Sequence, residues 1–412
     1  MKKINVIGLG YIGLPTAATF SKYGIEVIGV DVNPQIIETL KEGRIHIEEP
    51  GLLDIIKEDI ERGTLTFSTS PVESDAFIIA VPTPNNKDEY KSCDTTYVLK
   101  ATESILPVLK KGDLVVIEST IAPRTTEDYV LPILEQAGFK VGEDIYLAHC
   151  PERVLPGQIL FELINNNRII GGITPNCTEK ASELYSSFVK GELIKTEAKT
   201  AEMSKLMENT FRDVNIALAN ELTRICNKLD INVLDVIEMA NKHPRVNIHQ
   251  PGIGVGGHCL AVDPYYIHAK APELANIIKL SRDTNSDMPN YVVDNTRKIL
   301  GGTNGQTISI LGVTYKPNVD DVRESPALKI IEELEKLNYK IKIHDPHVNN
   351  SNYVSLEEAT TNTDLVLVLV GHNEFKNITN NSNIKLIFDP SNCLNSNNNN
   401  IINYGNLWKY NK

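Results

Sequence analysis

A β-branched run at 4–7, Ile-Asn-Val-Ile, leads straight into Gly8-Leu9-Gly10-Tyr11-Ile12-Gly13, and this junction constrains the fold more than any other part of the 412-residue chain. A segment of helical period continues to Gly24, and residues 25–31 (IEVIGVD) read as a second strand, so the first thirty residues form a βαβ unit. The first two glycines permit a tight turn and let backbone N–H groups approach a pyrophosphate closely, on the positive end of the following helix. Asp31 ends the second strand 18 residues after Gly13, where a carboxylate can bond both ribose hydroxyls. It would also repel a 2′-phosphate, and no Arg or Lys lies between 31 and 40, so the pattern favours NAD over NADP. The competing reading is a glycine turn that only packs helix on strand.

Further buried-strand signals at 76–81, 114–118, 145–149 and 168–170 alternate with helical or looped stretches, the signature of a mostly parallel sheet covered on both faces. The texture changes at 198. From Ala198 to Lys228 there is no proline or glycine, and Leu206, Phe211, Ala217, Leu218, Leu222 and Ile225 recur at three- and four-residue intervals, which predicts one long helix. The same pattern suits a dimer spine or a helix buried inside its own domain. Short helices are expected to about 245, a glycine-rich loop at 252–257, and more helix to about 300. After the turn-rich Gly301–Gly305, strands recur at 307–313, 340–344, 365–370 and 385–388, and Ser325-Pro326 supplies an N-cap and first helical residue. The expected fold class is α/β: an N-terminal Rossmann-type NAD domain (1–197), a central helical domain with one long helix (198–300) and a C-terminal Rossmann-like α/β domain (301–412). The Asn-rich stretch at 395–400 reads as a surface loop.

Composition removes other classes. Lys and Arg total 41 against 53 Asp and Glu, a net charge of −12, which lacks the basic face that nucleic-acid binding needs. No run approaches the ~20 apolar residues of a membrane span. Met1-Lys2-Lys3 and the apolar run after it imitate a signal peptide, but the glycine spacing and the missing cleavage site oppose export, and a cytoplasmic address is expected. Six cysteines without a CxxC pair read as reduced thiols.

Gly252-Ile253-Gly254-Val255-Gly256-Gly257-His258-Cys259 places a cysteine directly after four glycines in six residues, where backbone must approach something closely. Spacing alone leaves a catalytic thiol and a small buried hydrophobe both open. His258 and His268 fit no zinc spacing beside Cys259, so no metal is expected. Lys205 and Asn209, four apart, share one face of the long helix and could hold a developing oxyanion or simply be solvated.

Taken together, these stretches resemble the UDP-sugar 6-dehydrogenase family over almost the whole chain: GLGYIGLP, VPTP at 81–84, EST at 118–120, CPERVLPG at 150–157, AEMSKLMENTFRDVNIALANE, HPRVNIHQPGIGVGGHCLAVDP and YKPNVDDVRESP at 315–326. HPRVN with GGHCLAVDP looks like the N-acetylhexosamine branch. The resemblance implies Cys259 as nucleophile, with Lys205, Asn209, Asp263, Thr120 and Glu152 around it. Lys205 would stabilise the anionic intermediate, Asp263 and Thr120 would position or activate water, and Glu152 would act as acid/base in the thioester step. On the cofactor side it implies Gly8, Gly10, Tyr11, Ile12, Gly13, Asp31, Thr83 and Thr120, with Arg323 reaching NAD from the C-terminal unit. For substrate it implies Arg153, Val154, Lys205, Asn209, Arg212, His243, Arg245, Gly256, Tyr315 and Lys316, with Arg245 supplied by the neighbouring subunit of a homodimer.

The implied chemistry is a four-electron oxidation of a UDP-N-acetylhexosamine at C6, through a thiohemiacetal and thioester, to the uronate. The manno epimer is the expected substrate and the gluco epimer the alternative. A two-electron hydroxy-acid dehydrogenase would need neither the cysteine loop nor the third unit, and a silent nucleotide-sugar sensor would have no use for Cys259, Lys205 and Asp263 together. One departure stands out: where the family carries a DxR segment for the diphosphate, this chain reads Asp389-Pro390-Ser391-Asn392. Lys205, Arg212, Arg245, Lys316 and Arg323 still supply the local positive charge an anionic ligand requires.

Overall fold

A computed structural model of the protein describes residues 1–302, 305–380, 384–394 and 398–410. The chain divides into two compact units, residues 1–208 with 265–272, and residues 209–264 with 273–412.

The first unit is built on eight strands: β1 (Lys3–Ile7), β2 (Glu26–Val30), β3 (Leu65–Ser68), β4 (Ala76–Ile79), β5 (Leu114–Ile117), β6 (Tyr146–His149), β7 (Arg168–Gly172) and β8 (Leu193–Glu197). Their order is β3-β2-β1-β4-β5-β6-β7-β8, and every pairing is parallel except β6 with β7. The continuous apolar runs follow from burial on both faces: Ala76 and Ile78 join one core while Phe77 and Ile79 join the other, and Leu114 and Val116 divide from Val115 and Ile117 in the same way. Helix Gly13–Lys22 packs Leu14, Ala17, Ala18 and Phe20 into the first of those cores. The edge strands β3 and β8 left no clear mark in the sequence. β3 is four residues long, and β8 is mostly exposed, with a polar LIKTE sequence.

The second unit carries a five-stranded parallel sheet in the order β10-β9-β11-β12-β13, from β9 (Thr307–Leu311), β10 (Lys340–His344), β11 (Leu365–Val368), β12 (Ile387–Asp389) and β13 (Ile401–Asn403). Leu365 and Leu367 face one core, Val366 and Val368 the other. Helix Pro326–Lys336 starts as expected, with the Ser325 side chain accepting the Ala327 N–H. β13 was not legible, being three residues long and directly after the Asn-rich run. Within that run residues 395–397 lie outside the described residues, and 398–400 turn into β13 through Ile401 N–H donating to the Asn398 carbonyl. Thr303 and Asn304 of the expected turn also lie outside the described residues.

The stretch free of proline and glycine is one helix over Ala198–Lys228. Helices Val233–Ala240, Asp263–Lys270 and Asn276–Ile299 follow, with the glycine-rich segment before Asp263 a loop. Among the described residues no helix is long and apolar enough to cross a membrane.

Candidate active site

Gly8 has φ +90°, and a Cβ there would lie 2.6 Å from the Ala80 carbonyl oxygen. One on Gly13 would lie 1.8 Å from the Gly8 oxygen, so both positions require glycine for packing. Gly10 differs: a Cβ there meets no protein atom within 4 Å, and the space over the turn is open. The helix opening at Gly13 has no side-chain cap; Leu14 N–H donates to the Gly10 carbonyl at 3.1 Å and Pro15 has no N–H, so what faces the open space is the loop backbone before the helix and the positive end of its dipole. Tyr11 is exposed beside it and Ile12 is the N-cap residue. Asp31 accepts the Leu9 N–H at 3.0 Å and the Asn33 N–H at 2.9 Å, which pins its carboxylate at the mouth of the turn. An uncapped helix start, open space over the middle glycine and a fixed carboxylate fit the pyrophosphate and ribose of NAD.

Loops of the same unit stitch VPTP to EST. The Thr83 hydroxyl donates to the Thr120 carbonyl at 2.6 Å, Ser119 donates to the Val81 carbonyl at 2.7 Å, and Tyr266 donates to the Thr83 carbonyl. Thr126 and Arg124 downstream are held by Glu202, which accepts both their backbone N–H groups and the Thr126 hydroxyl. Glu152 is almost buried and bonded to the Arg153 N–H at 2.6 Å and to Arg168 at 2.8 Å. Arg153 pairs with Glu208 at 2.6 Å, and Val154 packs against the first core. Burial pushes His149 down to about 3, with Arg168 and Lys205 acting in the same direction, so Lys205 is within electrostatic reach of this neutral imidazole.

In the second unit the glycine loop presses on Tyr315. A Cβ on Gly256 would meet the Glu324 carbonyl oxygen at 2.5 Å, and one on Gly257, at φ +81°, the Tyr315 ring at 2.9 Å. Gly257 N–H donates to the Arg323 carbonyl at 3.1 Å. Cys259 is half-buried, and its carbonyl accepts the N–H groups of Val262 and Asp263, so the cysteine sits on the turn that launches helix Asp263–Lys270. Asn209 donates to Asp263 at 2.6 Å, both side chains being buried. Burial holds the Tyr315 phenol above its ordinary value, reinforced by Asp321 and Cys259 and opposed by Arg323 and Arg212. The expected residues Cys259, Tyr315, Arg212 and Arg323 therefore share one neighbourhood. Arg323 forms a forked pair with Asp321, with contacts of 2.7 to 3.1 Å, and Lys316 lies 5.7 Å from the Tyr315 ring centre. His243 and Arg245 lie exposed in the stretch after helix Val233–Ala240, where Arg245 N–H meets His243 Nδ1 at 3.3 Å.

At the departure from the family pattern, Ser391 donates to Asp389 at 2.6 Å and Asn392 reaches the Pro251 carbonyl at 3.4 Å. Tyr404 donates to the Gly252 carbonyl at 3.1 Å. This segment thus ties the β12–β13 region to the start of the glycine loop instead of presenting a cation. Among the described residues His347, His372 and Glu374 form a group of potential metal ligands. His372 Nδ1 accepts the Asn318 N–H at 2.9 Å, which puts its proton on Nε2 facing Asp345 at 3.1 Å and leaves no lone pair for a cation.

Sequence reasoning passed over the buried charges Glu118, Arg168, Glu202, Asp213 and Arg282. The available signal was charge at the border of an apolar run, as in LVVIE and RII, which burial converts into an obligation to pair.

Three family models match the chain in order: the UDP-glucose/GDP-mannose dehydrogenase NAD binding domain over residues 2–189, the central domain over 199–287 and the UDP binding domain over 309–396. A UDP-N-acetyl-D-mannosamine dehydrogenase of Methanococcus vannielii is 47% identical over 99% of this chain and 95% of its own length. One from Escherichia coli K12 is 46% identical over 90% and 94%. Among solved structures, the UDP-N-acetyl-mannosamine dehydrogenase Cap5O of Staphylococcus aureus matches with TM-score 0.92 and 56% identity, covering 99% of this chain and 100% of that one.

Proposed function

This chain belongs to the UDP-glucose/GDP-mannose dehydrogenase family, and we infer from that membership and from its site that it oxidises UDP-N-acetyl-D-mannosamine at C6, with NAD, to the uronate. The observation that carries the four-electron reading is Cys259 on a turn pressed against Tyr315, beside the buried Asn209–Asp263 pair. NAD supplies the hydride acceptor in both oxidations, and the turn Gly8–Gly13 with Tyr11, Ile12, Asp31, Thr83 and Thr120 would hold it, aided by Arg323.

Cys259 adds to the aldehyde left by the first oxidation, forming a C–S bond, and the Lys205 ammonium steadies the resulting alkoxide. Loss of the second hydride leaves a thioester. Water positioned by Asp263 and Thr120, with Glu152 taking its proton, breaks the C–S bond and returns the thiol. The balance is one alcohol, one water and two NAD to one carboxylate, two NADH and three protons. Arg153, Val154, Arg212, His243, Arg245, Gly256, Tyr315 and Lys316 bind the substrate in this reading, and the three domains 1–197, 198–300 and 301–412 divide the work between cofactor, assembly and nucleotide sugar. The low cysteine content and the nucleotide chemistry support a cytoplasmic address.

The test is an assay of purified protein with NAD and, separately, UDP-N-acetylmannosamine, its gluco epimer and UDP-glucose. Two NADH and one uronate are expected per manno substrate. Equal or faster turnover of the gluco epimer moves the assignment to the UDP-N-acetylglucosamine 6-dehydrogenase alternative, and one NADH with free aldehyde overturns the four-electron scheme.

A homodimer completes the reading. Met203, Met207, Phe211, Leu218 and Ile225 are all exposed on the long helix, and at 100° per residue they fall within an arc of about 80°. Such a stripe needs a partner, and a second copy brings Arg245 to a neighbouring site. Phe211, 62% exposed, is the test position. Phe211→Asp should weaken self-association by roughly a hundredfold or more, read by light scattering across a dilution series. A wild-type monomer, or an unaltered variant dimer, excludes this spine.

A further inference from the structure

Among the described residues of the first unit is a buried charge cluster of which the reaction scheme uses Glu152 alone. Arg168, the first residue of β7, lies buried between two carboxylates: its Nη1 donates to Glu152 Oε2 at 2.8 Å and its Nη2 donates to Glu118 Oε1. The Tyr185 ring covers the guanidinium at 4.1 Å, and the Tyr185 hydroxyl donates to the same Glu118 oxygen at 2.9 Å. Thr16, on the helix that opens at Gly13, donates to the other Glu118 oxygen at 3.2 Å. Arg168 also reaches the Cys150 carbonyl at 3.4 Å.

With both carboxylates ionised, the cluster carries a net charge of −1 in a site where Glu118 is 1% exposed. A structural tie between β5 and β7 would need one carboxylate, and burying a second is costly unless its charge does something. The two acids are not equivalent. Glu118 has both oxygens occupied by side chains, Arg168, Tyr185 and Thr16, whereas Glu152 bonds Arg168 through one oxygen and the Arg153 N–H through the other and sits at the margin of the cluster in the CPERVLPG loop, 8% exposed. Whatever charge Glu118 takes from Arg168 is withheld from Glu152.

We propose that Arg168 and Glu118 are positioning residues for Glu152, sharing one guanidinium so that the charge on Glu118 sets the basicity of the carboxylate that takes a proton from water. This rests on the role given to Glu152 above. Burial holds the Glu118 carboxyl above its ordinary range, Arg168 opposes that rise and Glu152 adds to it, so the acids feel each other across the cation. The remaining titratable neighbours do not compete: Cys150 is pushed up to about 12 by burial, Tyr185 well above its usual value, and His149 stays neutral. The link to Thr16 also connects this cluster to the helix that receives the pyrophosphate.

The experiment follows decay of the enzyme-bound thioester by rapid quench and intact-mass measurement, as a function of pH, in wild type, Glu118→Gln, Arg168→Met and Glu152→Gln. Removing the negative charge of Glu118 should move the acidic limb down by roughly half a pH unit or more, and removing the cation should move it up. A scaffold role would lower the rate in both variants without moving the limb, and that result overturns the proposal. If Arg168→Met fails to fold by circular dichroism, the direction of the Glu118→Gln shift decides alone. Glu152→Gln separates the two levels: if it keeps the wild-type limb the role of Glu152 is wrong, whereas a limb lost there but unmoved in Glu118→Gln refutes only the charge sharing.

Discussion

Cys259→Ala is expected to lower uronate formation by roughly a thousandfold or more, because in the proposed scheme the second hydride leaves from an adduct that cannot form without the sulfur. The aldehyde would then have to be hydrated and oxidised with no covalent hold, and it could escape between the two steps. The loop geometry gives this prediction its weight. Gly256 and Gly257 approach Tyr315 so closely that no side chain fits at either position, and the Cys259 carbonyl is fixed by two N–H groups of the next turn. That expenditure of glycine places a thiol beside a half-buried phenol and the Asn209–Asp263 pair, not in an apolar core. NAD affinity should persist, since the fingerprint is made by residues 8–31. Product chromatography with NADH counting gives the readout, and uronate made at the wild-type rate would remove Cys259 from the mechanism.

The parts of this molecule that were legible in sequence are those where one local rule acts without competition. The glycine fingerprint, the two-sided apolar strands, the long helix from Ala198 and the Ser325 cap each state a backbone requirement in a few adjacent residues, and each is found where the sequence put it. Strands β3, β8 and β13 escaped because short or exposed edge strands draw their stability from a neighbour's hydrogen bonds and not from their own pattern. The candidate site divides in the same manner. As candidates, Asp31 is marked by its spacing from the glycine fingerprint, Thr83 by the prolines on either side and Cys259 by the glycine loop just before it, but the side-chain partners of Glu152 and Asp263 lie 16 and 54 residues away in sequence. No spacing rule could pair Arg168 with both Glu118 and Glu152, since that needs the sheet order, in which β6 and β7 run antiparallel. Ser391 and Asn392 looked like a missing cation, and the structure gives them a different task, anchoring the glycine loop.

That anchoring continues in a buried chain of polar groups. Gly252 N–H donates to Asn220 at 2.9 Å, Asn220 donates to Asn285 at 2.8 Å, Asn285 donates to Asp213 at 2.8 Å, and Arg282 closes the chain on Asp213 at 2.5 Å while reaching the Leu260 carbonyl at 3.5 Å. The loop carrying Cys259 is thus held at both ends by side chains from two helices. Arg282→Met should cost about 3–5 kcal/mol, because it leaves Asp213 charged and fully buried with no cation beside it. Burial already holds the Asp213 carboxyl above its ordinary value, with Arg282 opposing, so losing Arg282 must raise it further. A carboxyl whose folded-state pKa exceeds its unfolded value binds its proton more tightly when folded. The deficit should therefore be full above the raised folded-state pKa and shrink as pH falls towards about 4, the unfolded value. Asp213→Asn in the same chain should recover part of the loss, since the amide keeps its bonds to Asn285 without the stranded charge. Urea unfolding curves of the single and double variants at pH 5 and pH 8 supply the check. Superimposable curves for wild type and Arg282→Met, or a deficit that grows as pH falls, would mean that the pair contributes no more than a surface bridge.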